Sequence, residues 1–508
     1  MTLAKSYKFI LPIHELTAVI SEPLDKLRPR ISWQGDEEEI TIYDSFTQDI
    51  WNSGHLLQKK QRILTLTNGV DEVTQKLDSH PAFVIDLPMG PVRTKLNMVS
   101  SLRRLMTIGN ARERTYHIIF VDDEEKTQIR LMLKVFQSSK THGFCLAAIQ
   151  GLRGYDKPLL MLTKKLLSKG QYWPGPSFGY QHLFPTWQQY YPKPFVELSS
   201  YDRIFEAANG IIKAYLPVIR QNEQGIIDDL DTEFLHDYRI GLRKIRSVLS
   251  LLKGVYETEQ SDELKANFRT LMEPTGDLRD LDVYLLTQND YYNLLPQELH
   301  LGLNGMFKRF AQRRNAFYKE LKNHLQSASY HNLFKKIEDL FHHEEKLKPG
   351  PCADENIQAF GCKLIWKRYK KICVLASSIT DYTPDEQVHE LRIQCKKLRY
   401  LMEIFSPLFD RIAIKELIRP LKKLQDNLGL FNDYCVQQES LGHFLNDLKS
   451  SHQQEDVVIA QTVGALIMVM HQKQREERAK VVNNFINFNS PETENRFKLL
   501  FQHKKEQR

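Results

Sequence analysis

The sequence predicts an α+β multidomain protein, with an antiparallel β domain first and an all-α domain after it. Three observations carry this. The chain has 508 residues, too many for one compact core, since single cores stop growing near ~250–300 residues. The early part holds short β-type runs at 63–66, 117–120 and 129–135, each bounded by charged or turn-forming residues. From residue 199 onward, segments of roughly 15–25 residues show 3.6-residue apolar periodicity.

The expected organisation is a β domain over 1–170, a linker over 171–198, a helical domain over 199–490 and a basic tail over 491–508. Residues 171–195 hold five prolines and nine aromatics. Proline excludes regular helix there, and the expected role is to pack aromatics onto a neighbouring domain rather than to form a ligand platform. Hydrophobic residues make up 42% and charged residues 26%, which argues against wholesale disorder. No stretch approaches the ~18 apolar residues of a membrane span, and the first residues lack a secretory leader's apolar core. The six cysteines form no CxxC pair and no Cys/His cluster. Neither a disulfide framework nor a structural zinc is expected, and a reducing cytoplasm is the expected location. No metal and no cofactor is expected.

The helical part carries an internal repeat. His236-Asp-Tyr-Arg239-Ile-Gly-Leu-Arg243-Lys244-Ile-Arg246 is echoed by His389-Glu-Leu-Arg392-Ile-Gln-Cys-Lys396-Lys397-Leu-Arg399, 153 residues later. Leu271, Gly276 and Asp280 recur at the same offset as Leu424, Gly429 and Asp433. Two motifs sharing one offset imply two copies of a helical unit, over about 199–345 and 352–490, related by a pseudo-twofold axis.

At about 100° per residue, His236, Arg239, Arg243 and Arg246 share a face about 80° wide, while Leu242, Ile245 and Leu249 fall opposite. His389, Arg392, Lys396 and Arg399 repeat the stripe, and Lys244 and Lys397 flank it. Like charges at i,i+4 repel by a few tenths of a kcal/mol, and a solubility face would mix in glutamate. The stripes therefore suggest a surface for a polyanion. The plainer alternative is that Asp280 and Asp433 neutralise part of each stripe. Further basic runs contain Arg309 and Arg313, and Lys363, Lys367 and Lys371. These are candidates for the same groove, or solvated faces.

The two motifs resemble the CHAD family, the conserved-histidine α-helical domain. The turns Thr275-Gly276-Asp-Leu-Arg279-Asp280 and Leu428-Gly429-Leu-Phe-Asn432-Asp433 match its Leu-Gly-x-x-[Arg/Asn]-Asp pattern, with Thr275 departing from the usual Leu. The resemblance implies two four-helix bundles about a pseudo-twofold axis, with inorganic polyphosphate held in a basic groove between them. It implies contacts from His236, Arg239, Arg243, Lys244 and Arg246 and from His389, Arg392, Lys396, Lys397 and Arg399. Association with polyphosphate granules is the matching expectation; other polyanions are alternative partners, and no membrane partner is expected.

The N-terminal part resembles the CYTH triphosphatase fold, an antiparallel β tunnel. Tyr43-Asp44-Ser45, Ala111-Arg112-Glu113-Arg114, Asp122 and Ser168-Lys169 carry the resemblance. The catalytic pattern departs. Where the family opens with Glu-x-Glu-x-Lys, this chain has Ala4-Lys5-Ser6-Tyr7-Lys8. Gln58-Lys59-Lys60 stands for Arg-x-Arg, and Arg130-Leu-Met132-Leu-Lys134 for the late Glu-x-Glu strand. A magnesium ion needs oxygen ligands, commonly carboxylates, so a non-catalytic domain with no catalytic residues is expected. Two alternatives remain at this level. One is a triphosphatase with divergent ligands. The other is a nucleic-acid-binding helical protein, which would need aromatics among the basic residues, whereas Tyr238 falls on the core side.

Overall fold

Alternation of apolar and polar residues builds the first unit, which ends at Tyr191. The computed structural model describes residues 6–68, 71–139, 141–175, 179–185, 188–380, 383–448 and 454–502. Ala4 and Lys5 of the opening motif, residues 176–178 and 186–187 of the aromatic segment and 503–508 of the tail lie outside that set.

Ten strands form one antiparallel sheet: β1 (Ser6–Pro12), β2 (Arg28–Gln34), β3 (Glu38–Ser45), β4 (Leu56–Lys60), β5 (Ile63–Thr67), β6 (Glu72–Lys76), β7 (Leu105–Val121), β8 (Thr127–Gln137), β9 (Gly143–Gly151) and β10 (Gln171–Tyr172). The order is β10-β1-β9-β8-β7-β3-β4-β5-β6, with β2 also on β7. Among the described residues β10 and β6 are the two ends of that path, so backbone pairing does not close it into a ring. Short helices α1 (Leu16–Ser21), α2 (Asp49–Asn52), α3 (Pro91–Lys95) and α5 (Gly179–Leu183) fill the connections, and α4 (Asp156–Lys169) lies on one face. Leu159, Leu162 and Leu166 of α4 join Phe9, Leu11, Ile118, Ile129 and Leu131 in the core there.

The opposite face is covered by the aromatic segment. Ile10, Ile40, Ile42, Ala111, Phe136 and Phe144 pack with Leu183, Trp173 and Phe184. Gly109 permits this closeness, because a Cβ there would sit 2.3 Å from the Phe184 ring.

The second unit, from Pro192 on, is helical. Its elements are α6 (Ile204–Ile227), α7 (Thr232–Leu251), α8 (Thr258–Met272), α9 (Gly276–Leu286), α10 (Gln288–Leu294), α11 (His300–Leu325), α12 (Ala328–His342), α13 (Ile357–Ser377), α14 (Asp385–Phe405), α15 (Arg411–Leu448), α16 (Gln454–Phe488) and α17 (Pro491–Phe501). The starts of α6, α7 and α8 recur 153 residues later as the starts of α13, α14 and α15. The symmetry is visible in hydrogen bonds. Ile204 N donates to Glu355 O and Ile357 N to Asp202 O, each at 3.0 Å, and the equivalent residues Arg203 and Asn356 form an antiparallel bridge. Such reciprocal contacts are the mark of a twofold axis. The copies also share a core, in which Leu303, Phe307 and Phe310 of α11 pack with Phe444 of α15 and Ile459 and Val463 of α16. Among the described residues no helix is long and apolar enough to cross a membrane.

Candidate functional site

The repeated helices α7 and α14 begin the site. Asp231 caps α7, its side chain accepting from Glu233 N at 2.9 Å and Phe234 N at 3.2 Å, satisfying two of the four orphan amides. Leu235, Tyr238, Leu242, Ile245 and Leu249 bury one side of α7, and Val388, Leu391, Cys395 and Leu398 bury one side of α14. The stripes are thereby turned outward. A cavity of about 720 Å³ lies between them, lined by Arg243 and Lys244 from α7, Arg392, Lys396, Arg399, Tyr400 and Glu403 from α14, and Gln425, Asp426 and Gly429 from α15. Lys193, Tyr215 and Ile240 complete the lining. Six cations thus face two carboxylates, which leaves the cavity electropositive.

Partners differ along the stripe. Arg239 donates to Thr275 Oγ1 at 2.5 Å, so the threonine that departs from the family pattern serves as an arginine anchor. Arg392 lies 3.8 Å from Asp433. Arg399 Nε donates to Glu403 Oε1 at 2.7 Å and its Nη1 to Gln425 Oε1 at 3.3 Å. Lys244 pairs with the same Glu403. Arg243 and Lys396, equivalent under the repeat, both line the cavity, and among the described residues neither has an ion pair. Burial and then the charges of Arg392 and Arg243 push the Lys396 ammonium below the ordinary lysine range. Burial and then Arg243 push Arg239 the same way. Burial raises Glu403, but Lys244 and Arg399 outweigh it and hold the carboxyl below its usual range.

The two histidines are oriented by equivalent residues of the turn motif. Arg279 Nη2 donates to His236 Nδ1 at 3.0 Å, while His389 Nδ1 lies 2.6 Å from Asn432 Oδ1. Of the two aspartates, Asp433 reaches Arg392, whereas burial pushes the Asp280 carboxyl up against the pull of Arg239.

Other sequence candidates lie off the cavity lining. Lys397 faces Arg368, Glu390 and Lys371. Arg309 pairs with the buried Asp456, and Arg313 lies 2.6 Å from Asp447. These bonds tie α11 to α16 and α15. Lys363 lies 3.8 Å from Glu355 and Lys371 3.6 Å from Glu390; Lys367 is exposed. Sequence reasoning missed Lys193, Tyr400 as a wall residue, and Glu403. Tyr400 also corrects the expectation of stripes without aromatics. Its ring lies 5.3 Å from Lys244 Nζ and 5.9 Å from Lys396 Nζ. Continuing the helical wheel past Arg399 would have placed both Tyr400 and Glu403 on the cationic face, at about 20° and about 320°.

In the β unit, the residues of the second resemblance are engaged locally. Asp44 accepts from the backbone of Ser45, Ile50 and Trp51 at 2.7, 3.0 and 2.9 Å; burial nevertheless pushes its carboxyl up to about 7. Arg112 and Arg114 reach Glu37 at 3.3 and 3.8 Å. Asp122 accepts from Glu124 N and Lys126 N, closing a turn. On the aromatic-covered face, Glu38 pairs with Lys60, and Glu113 lies 3.8 Å from Lys134. Among the described residues no three His, Cys, Asp or Glu side chains gather as metal ligands would.

Residues 210–442 match the CHAD domain family model. Two solved structures are similar to the chain. One is the CHAD domain from the plant Ricinus communis, 22% identical, with 57% of this chain and 96% of that one covered and a TM-score of 0.47. The other is PptA from Streptomyces chartreusis, 12% identical, with 56% and 99% covered and a TM-score of 0.44. No curated protein matches the chain.

Proposed function

We propose that the helical unit binds inorganic polyphosphate along the cavity between α7 and α14, and that the β unit is a CYTH-like domain without triphosphatase activity. The observation that carries the first part is the pairing of Arg243 with Lys396. Equivalent residues of two copies face one cavity, repel each other, and make no ion pair with a carboxylate among the described residues. Unpaired charge of this kind costs free energy unless an anion offsets it. Arginine can hold two phosphate oxygens at once, and lysine acts as a point charge. The second part is supported by the aromatic cover of one sheet face and by the pairing of Glu38 and Glu113 with lysines, which leaves those carboxylates engaged.

One experiment addresses both parts. Binding is measured against long polyphosphate, triphosphate and single-stranded DNA at several salt concentrations, with phosphate release in Mg²⁺ or Mn²⁺ assayed in parallel. Log affinity for polyphosphate is expected to fall linearly with log salt, as counterion release requires. Salt-insensitive binding overturns the groove. Metal-dependent release from triphosphate that disappears on changing Lys8 overturns the non-catalytic reading.

Tyr400 favours a second reading, a single-stranded nucleic acid with a base stacked on the ring between Lys244 and Lys396. Stacking contributes roughly 1–3 kcal/mol per base. Tyr400→Ala should then weaken DNA binding far more than polyphosphate binding.

A further inference from the structure

The two copies contribute unequally to the cavity: Arg399 and Glu403 of the second line it, whereas their counterparts Arg246 and Ser250 of the first do not. Lys244 from the first copy and Arg399 from the second converge on one carboxylate, Glu403, and Gln425 supports Arg399 from α15. The residue equivalent to Glu403 in the first copy is Ser250, and Arg246, the counterpart of Arg399, has no ion pair among the described residues. A carboxylate gripped by cations from opposite walls has the charge and the acceptor pair of a phosphoryl group in that place. Resting on the polyphosphate reading of this cavity, we propose that Lys244, Arg399 and Gln425 form a phosphate subsite held by the Glu403 side chain until a ligand displaces it. A short chain is bound at Arg243 and Lys396. A longer one advances only by exchanging its own anion for the protein's. Glu403 thus limits how many phosphates the cavity engages and weakens long chains more than short ones.

The test is Glu403→Gln, which keeps the shape and removes the charge. Long polyphosphate should bind at least about 5-fold tighter, and the log–log salt slope should steepen by about one unit, near the ~0.7–0.9 expected per additional neutralised phosphate. Triphosphate should gain less than the long chain. Affinity that stays level or falls, with melting unchanged, overturns the subsite and leaves Glu403 a clamp between copies. If the variant melts early, the wild type supplies the readout. With ¹³C-carboxyl glutamate, and Glu403 assigned through Glu403→Asp, saturation with long polyphosphate should move the Glu403 resonance. A stationary resonance overturns the proposal. A wild type that binds no polyphosphate overturns the parent reading and the subsite together, whereas binding without any response at Glu403 overturns the subsite alone.

Discussion

At two of the repeated arginine positions the first copy of the helical repeat lacks the carboxylate that the second supplies. Arg239 is anchored by Thr275, but its equivalent Arg392 by Asp433. Arg246 is followed by Ser250, but Arg399 by Glu403, which holds it. Even the backbone differs. Pro274, which lacks an N–H, sits in the 3₁₀ turn Glu273–Thr275 that separates α8 from α9. The equivalent Asn427 lies inside the continuous α15 and donates to Glu477 O at 2.9 Å. Helix starts and cation positions have kept their twofold relation, while the residues that decide each cation's availability have not. A symmetric scaffold thus carries an asymmetric field, and each expectation below tests one part of that asymmetry.

Charge reversal should have the largest effect. Arg243→Glu/Arg246→Glu and Lys396→Glu/Arg399→Glu should each weaken long polyphosphate by at least about 100-fold, roughly 2.7 kcal/mol. Because both pairs act within one field, the effects should not add. Thermal melts must accompany the titrations, since Arg399 is ion-paired and its reversal sets like charges four residues apart on α14. If both variants stay folded and only one loses binding, one copy is merely structural.

The next effect is on pH. An ammonium pushed below the ordinary lysine range loses its proton earlier as pH rises, so the Lys396 charge is present at low pH and is lost, as pH rises, before that of an ordinary lysine. Affinity should fall with it by about tenfold, the order expected for one lost contact, and Lys396→Arg should remove the fall. The same variant restores the residue found at Arg243 and so makes the copies more alike. An alkaline profile indifferent to Lys396→Arg would place the titrating group elsewhere.

Much of this was legible in the sequence, for physical reasons. The repeat offset survived because helix starts and cation positions survived together, and the short apolar runs at 117–120 and 129–135 became β7 and β8. The partners of Arg309 and Arg313 were illegible because Asp456 and Asp447 lie 147 and 134 residues away. Local charge counting saw an unpaired run where the fold makes inter-copy bonds. Glu403 lay one helical turn past the motif, within reach of the same helical wheel. The aromatic segment was read as excluding regular helix, whereas Gly179–Leu183, between its prolines, forms α5, and the face it covers depends on contacts such as that of Phe184 with Gly109.

Stability should register the Thr275 difference. Thr275→Leu gives the first copy the residue of the second, at a position with no exposure. It removes the acceptor of Arg239 and leaves a half-buried guanidinium short of one hydrogen bond. That should cost about 1–3 kcal/mol, read as a lower midpoint in urea with an unchanged m-value. An unchanged midpoint would mean that Arg239 finds another acceptor, with Asp280 the carboxylate already attracting it.

The smallest effect concerns Lys244 and Lys397, equivalent in sequence and unlike in placement. Lys244 lines the cavity, whereas Lys397 lies off its lining, in the field of Arg368, Glu390, Lys371 and Lys253. Lys397→Gln should leave triphosphate binding within about 2-fold, because a charge outside the cavity acts only through a field that salt screens over ~8–10 Å. Long polyphosphate has more reach. A chain that leaves the cavity can follow the exposed Lys367 and Lys371, and at low salt its affinity should drop a few-fold while the drop vanishes at higher salt. Equal loss for triphosphate and long chain, persisting in high salt, would put Lys397 in direct contact with the ligand. The two copies would then present their motifs more symmetrically than their partners suggest.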